Sequence, residues 1–157
     1  MKKKLTHLDA RGHARMVDVS EKEISHRVAC ARATLRMKKS TRALLFADKT
    51  KKGDAFAIAK IAGISAAKRT SELIPLCHGI ALTRVAVEIE KGEGAGDVVV
   101  RATAEARDRT GVEMEALTAA SIAALTIYDM VKSVDRGVSF EIVLEEKRGG
   151  KSGAWKR

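Results

Sequence analysis

The chain has few of the residues that usually advertise a function. Cysteine occurs twice in 157 residues, at Cys30 and Cys77. Two cysteines so placed make no disulfide framework and no Cys-x-x-Cys zinc spacing, so no metal site is expected. Long apolar runs are missing: the longest uncharged stretch, Ala116 to Tyr128, is 13 residues, too short for a membrane span. The start is basic, Met1-Lys2-Lys3-Lys4, but Thr6, His7, Asp9 and Arg11 follow where a signal peptide needs an apolar segment. The expectation is a soluble cytoplasmic protein with no membrane partner. Aromatic residues number five (Phe46, Phe56, Tyr128, Phe140 and Trp155). No strand read from the sequence carries two of them, which weighs against a sheet that stacks RNA bases.

What is present is apolar content and positive charge. The 45% hydrophobic content excludes a disordered, tail-like chain. The length suits one domain, residues 1–157, large enough to fold without disulfide or metal. The formal net charge is +10, which points to an anionic partner. The charge is uneven. Residues 1–60 carry 16 Lys and Arg against 6 Asp and Glu, whereas residues 61–130 carry 7 against 10. A solvated basic surface, a nucleic-acid-binding face and a pocket for a small polyphosphate all fit that distribution. The scarcity of aromatics favours the pocket.

Periodicity supplies an architecture. Residues 1–20 read as a polar arm. From Arg27 to Met37 the chain alternates, with Ala29, Ala31, Ala33 and Leu35 on one face, so a strand is expected despite the alanines. Ser40 reads as the cap of a short helix to about Ala47, and Asp54 as the N-cap of a helix to about Leu73. Pro75, the only proline, opens the loop Leu76-Cys77-His78-Gly79. Leu82 to Glu90 and Asp97 to Arg107 read as a hairpin around Gly92-Glu93-Gly94-Ala95-Gly96. Thr110 is expected to cap a helix to about Val134. Val138 to Glu146 reads as a last strand with Val138, Phe140, Ile142 and Leu144 inward, and 148–157 as a flexible tail. The order β-α-β-β-α-β predicts an α+β, ferredoxin-like sandwich: a four-stranded antiparallel sheet with helices packed on one face.

Several side chains could carry chemistry. Lys49, Lys51 and Lys52 precede a helix N-terminus, where neighbouring ammonium groups and the helix dipole disfavour more positive charge. Such a lysine suits acid/base work, phosphate binding or a solvated turn. Lys68 and Arg69 fit a helix C-terminus, or a phosphate clamp. Cys77 and His78 are adjacent in an extended loop and so point to opposite sides, which makes them poor joint metal ligands. On the Gly111–Val134 helix, Glu115 and Asp129 lie within about 40° of one face, and Asp129 and Lys132 are i, i+3 neighbours. Asp129 lies between Tyr128 and Met130 in an otherwise core-like segment, so a partly buried Asp–Lys pair is expected, either catalytic or structural.

The same segments carry a family resemblance. They include Met16-Val17-Asp18-Val19, Lys52-Gly53-Asp54, Ala66-Ala67-Lys68-Arg69-Thr70 and Leu73-Ile74-Pro75-Leu76-Cys77-His78. The longest runs from Thr110-Gly111-Val112-Glu113-Met114-Glu115 to Tyr128-Asp129-Met130, and Gly149-Gly150-Lys151-Ser152-Gly153 matches the tail. The chain resembles the cyclic pyranopterin monophosphate synthases, the protein C family of molybdenum cofactor biosynthesis. The resemblance implies a homohexamer, a trimer of dimers, with active sites at subunit interfaces. It implies a lyase-type reaction on 3',8-cyclo-7,8-dihydro-GTP, supplied by a radical enzyme. Asp129, Lys52 and Lys132 match the residues at the reaction centre. Leu76, Cys77 and His78, together with Met114 and Glu115, match substrate-contacting segments, and Lys68, Lys147 and Lys151 are further substrate contacts. The resemblance requires no cofactor and leaves Mg²⁺ beside the substrate phosphates open. The competing readings are a basic nucleic-acid-binding module and a non-catalytic assembly subunit.

Overall fold

The alanine-rich first segment is a strand. In the computed structural model, which describes residues 11–47 and 53–157, β1 runs over Ser25–Arg36. Ala29, Ala31, Ala33 and Leu35 are all fully buried on one of its faces. Tertiary context overrides alanine's helical preference here. β1 is central in the sheet, paired antiparallel with two neighbours, and its small side chains lie under a helix that is equally poor in bulk.

Three helices follow, and the first two depart from the sequence reading in how they are capped and where they end. α1 spans Lys39–Phe46, and Ser40 does not cap it. The cap comes from a distance: the Asp135 carboxylate accepts from Lys38 N at 2.9 Å and Thr41 Oγ1 at 3.0 Å. Those bonds, the Lys38 amide foremost, hold the Asp135 carboxyl below its usual range. α2 spans Ala55–Ala67, with Asp54 accepting from Phe56 N and Ala57 N as its N-cap. The helix expected to reach Leu73 stops at Ala67, and a separate single turn, α3, covers Thr70–Leu73. Thr70 helps to end α2, since its buried hydroxyl bonds back to the Ala66 and Ala67 carbonyls.

β2 (Leu82–Lys91) and β3 (Asp97–Asp108) form the expected hairpin. α4 covers Glu113–Val131, shorter than expected at both ends. Thr110 does not cap it: Val112 is at the N-cap and makes no side-chain bond, and Glu113 and Glu115 in the first turn complement the helix dipole instead. β4 covers Ser139–Arg148. The tail, expected to be flexible, adds a two-residue strand, β5 (Trp155–Lys156), on the outer edge of β4.

The sheet order is β2-β3-β1-β4-β5, antiparallel throughout. The β1-to-β2 connection passes over β3, and the β3-to-β4 connection passes over β1. The first four strands thus have the ferredoxin-like order. α2 and α4 pack on each other and on one sheet face. Their contact is close because of Gly63: a Cβ there would sit 2.9 Å from the Ala119 carbonyl and 3.2 Å from the Ala123 Cβ. Ala116, Ala119, Ala120, Ala123 and Ala124 are fully buried, which brings α4 down onto β1 and β3. Leu35 and Ile127 are the largest fully buried side chains, and truncating either to alanine should cost about 2–5 kcal/mol. Ile142 lies opposite Ala33 on the helix side but stays 39% exposed, because little covers β4 there. Among the described helices only α4 is long and apolar enough to cross a membrane, and its packing on the sheet and α2 accounts for that hydrophobicity.

Candidate functional site

Strand register builds a cationic cavity at one end of the sheet. Arg27 is in phase with Ala29 and Ala31, so β1 turns it toward the helix side, where it is 9% exposed. Lys147 on β4 lies directly opposite Ala29 and therefore on the same side. Between them is a cavity of about 570 Å³ lined by Lys22, Arg27, Arg109, Lys147, Arg148 and Lys151, with Glu23 and Glu113 as the only counter-charges among the described residues. Lys147 and Lys151, matched as substrate contacts, are thus brought together. The Lys147 ammonium donates to the Ser152 hydroxyl.

Arg27 is the central group. Its Nε donates to the Asp108 carbonyl and its Nη2 to the Arg109 carbonyl, both at 3.1 Å. These are neutral acceptors, so among the described residues this nearly buried guanidinium has no carboxylate as a hydrogen-bond partner. Gly150, at φ 74°, packs against Nη1 where a Cβ would clash. The buried Ser25 hydroxyl lines the same cavity and has no hydrogen-bond partner among the described residues. A cation held by neutral carbonyls and a hydroxyl without a partner among the described residues, in one cavity, suit a multiply charged anion. Sequence reasoning missed Arg27, Arg109 and Ser25. For Arg27 a signal was there: a charge in phase with an alanine face, and a paired glycine in the tail.

The first turn of α4 joins the cavity to a second group. Glu113 lines the cavity, and two residues on Glu115 is 3% exposed, its Oε2 without a partner among the described residues. Burial, with smaller contributions from the Glu113 and Asp108 charges, pushes its carboxyl up to about 7. Glu115 is therefore poised to hold or release a proton near neutrality. Cys77 is close enough to feel it: burial first, then the Glu115 charge, raises the thiol. A thiol so placed is a weak nucleophile. His78 turns away from that group, and its Nε2 is 2.8 Å from the Val17 carbonyl of the arm. The two neighbours do face different elements. Leu76 and Met114 are half-buried.

The third group lies elsewhere. Asp129 Oδ1 and Lys132 Nζ are 2.7 Å apart. The partly buried pair expected from the sequence is instead at the surface of the chain, each side chain 53% exposed. The core-like sequence around Asp129 reflects its neighbours, since Ile127 and Met130 are buried and Asp129 turns outward between them. The carboxylate raises the Lys132 ammonium, so this lysine stays charged. Asp129 is 14 residues from Glu115, about 21 Å along the helix. Lys68 lies exposed at the C-cap of α2. Lys52 lies outside the described residues.

A match to the MoaC family spans residues 16–150. The chain belongs to the MoaC family. Within that span fall the arm residue Val17, the loop 76–78, the whole of α4 and Lys147. A Thermomicrobium roseum protein named cyclic pyranopterin monophosphate synthase is 54% identical over 154 residues, covering 98% of this chain and 93% of the relative. A Parvibaculum lavamentivorans protein of the same name is 53% identical over 155 residues, covering 98% and 97%. Membership in this family and the cationic cavity point the same way, to a small anionic substrate.

Proposed function

We propose that the chain is a cyclic pyranopterin monophosphate synthase. The observation that carries this reading is the match, over nearly the full length, to relatives of that name at 54% and 53% identity. The substrate is 3',8-cyclo-7,8-dihydro-GTP, whose triphosphate enters the cavity of Arg27, Lys147 and Lys151. The guanine-derived ring opens and recloses as a pyranopterin against Met114, Glu115 and the loop Leu76–His78. A substrate hydroxyl oxygen then bonds to the α-phosphorus. The bond to the β-phosphate breaks, pyrophosphate leaves, and a base takes the hydroxyl proton. Cations fixed before the reaction stabilise the charge that builds on the departing pyrophosphate.

Asp129 and Lys132, with Lys52, supply the acid/base and charge-stabilising groups. Within one chain the first two are remote from the cavity, so a second copy must present them. The working form in this reading is a homohexamer, a trimer of dimers, with each site shared between chains. The reaction belongs to the phosphorus–oxygen lyases, takes place in the cytoplasm, needs no protein-bound cofactor and follows a radical enzyme that cyclises GTP. Incubation with the cyclised dihydro-GTP should yield pyrophosphate and cyclic pyranopterin monophosphate in equal amounts. No product above the protein-free rate would sink the reading.

A further inference from the structure

The contact between His78 and the arm decides more than where the ring lies. A carbonyl oxygen only accepts hydrogen bonds. With His78 Nε2 at 2.8 Å from the Val17 carbonyl, the proton of a neutral imidazole must be on Nε2. The other nitrogen, Nδ1, is then an acceptor, directed away across the ring. The arm is held in shape where it makes this contact. The Asp18 carboxylate accepts from Ser20 N at 2.9 Å and Ser20 Oγ at 2.6 Å, and Lys22 N donates to the Val19 carbonyl at 3.0 Å. Those turns fix the backbone on which the Val17 carbonyl is mounted. They also engage the Asp18 carboxylate, which interacts electrostatically with His78, in hydrogen bonds to Ser20.

We propose that the N-terminal arm selects the His78 tautomer, drawing the Nε2 proton to the Val17 carbonyl so that Nδ1 is the atom His78 offers to bound substrate. This rests on the reading of Leu76–His78 as a substrate-contacting loop. It gives residues 16–20 a role in positioning. The ring meets the substrate as a hydrogen-bond acceptor, suited to an N–H or O–H of the rearranging heterocycle. It does not meet it as a donor to phosphate.

The test has two parts, both on the full-length chain. Ring nitrogen shifts are recorded on ¹⁵N-histidine-labelled protein at pH 8.5 without substrate, with His78 identified by the signals lost in His78→Gln. A protonated Nε2 and an unprotonated Nδ1 are expected; the reverse pattern overturns the proposal. Turnover is then compared in His78→Asn, whose amide reaches roughly the Nδ1 position, and His78→Gln, whose amide reaches roughly the Nε2 position. His78→Asn should keep kcat at least about tenfold above His78→Gln. Equal losses, or Gln above Asn, would overturn it. Absence of product with the unmodified chain would sink the synthase reading instead, and the nitrogen shifts would still decide the tautomer.

Discussion

Glu115 and Asp129 are carboxylates on one helix, within about 40° of the same face and about 21 Å apart along the axis, yet one is 3% exposed and the other 53%. The difference follows from what covers α4. Near the start of α4, Glu115 is buried beside the fully buried Ala116, whereas near its end Asp129 turns outward between the buried Ile127 and Met130. One helix therefore carries a buried group whose charge is suppressed and an exposed pair whose charge is fixed. In the proposed reading, chemistry that needs both draws them from different chains.

The exposed pair should matter for turnover and hardly at all for stability. Exposed ion pairs contribute little to folding, while a positioned acid/base group contributes about 10²–10⁴ in rate. Asp129→Asn and Lys132→Ala should each lower kcat by that order and leave the thermal midpoint essentially where it was. Pyrophosphate release and thermal melting measure the two quantities. A variant that melts early but turns over normally when folded would assign the pair to structure.

Sharing of sites between chains can be tested by mixing inactive variants. Asp129→Asn retains the cavity, and Lys147→Ala retains the exposed pair. Dissociating and reassembling the two in equal amounts should return about a quarter of the normal activity, the share of two-chain sites that receive both intact contributions. Activity no higher than that of the separate variants would place a complete site inside one chain.

Much of this layout was legible in the sequence. Alternation around Ala29–Leu35 and Val85–Ile89 set two strands, and Asp54 announced the start of α2. The caps of α1 and α4 were not legible, because capping by Ser40 or Thr110 is a local signal. Asp135 instead reaches α1 from nearly a hundred residues away, and α4 relies on its acidic first turn. The cavity escaped for a related reason. Arg27, Arg109 and Lys147 are far apart in the chain, and strand pairing alone brings them together. Burial of Asp129 was overestimated because an apolar neighbourhood in sequence need not be one in space.

Gly150 should be intolerant of a side chain for two separable reasons. Its φ of 74° is strained for other residues, which costs roughly 1–2 kcal/mol, and a Cβ would displace the Arg27 guanidinium. Gly153 has a similar φ of 63° with open space around it, so Gly153→Ala carries the strain alone. Gly150→Ala should weaken pyrophosphate binding about tenfold, measured by titration calorimetry, while Gly153→Ala should not. Equal binding by both variants would remove Arg27 from the phosphate site.

The raised Glu115 carboxyl makes a signed prediction about pH. The folded value is about 7 against an ordinary 4.5. Between those limits the folded chain holds a proton that the unfolded chain has lost, so stability falls as pH rises. Above about 7 the full cost is present, on the order of 3 kcal/mol. Glu115→Gln cannot ionise. It should match the unmodified chain below about pH 4, where Glu115 is neutral in both the folded and the unfolded chain, and become the more stable of the two by pH 8. Urea unfolding at a series of pH values reads the difference directly. Burial drives it, the Glu113 and Asp108 charges add to it, and Cys77 responds in turn. A difference between the two proteins that stays flat from pH 5 to pH 8 would mean that Glu115 keeps its charge in the fold. It would then need a cationic partner, and its place beside the cavity would call for a different account.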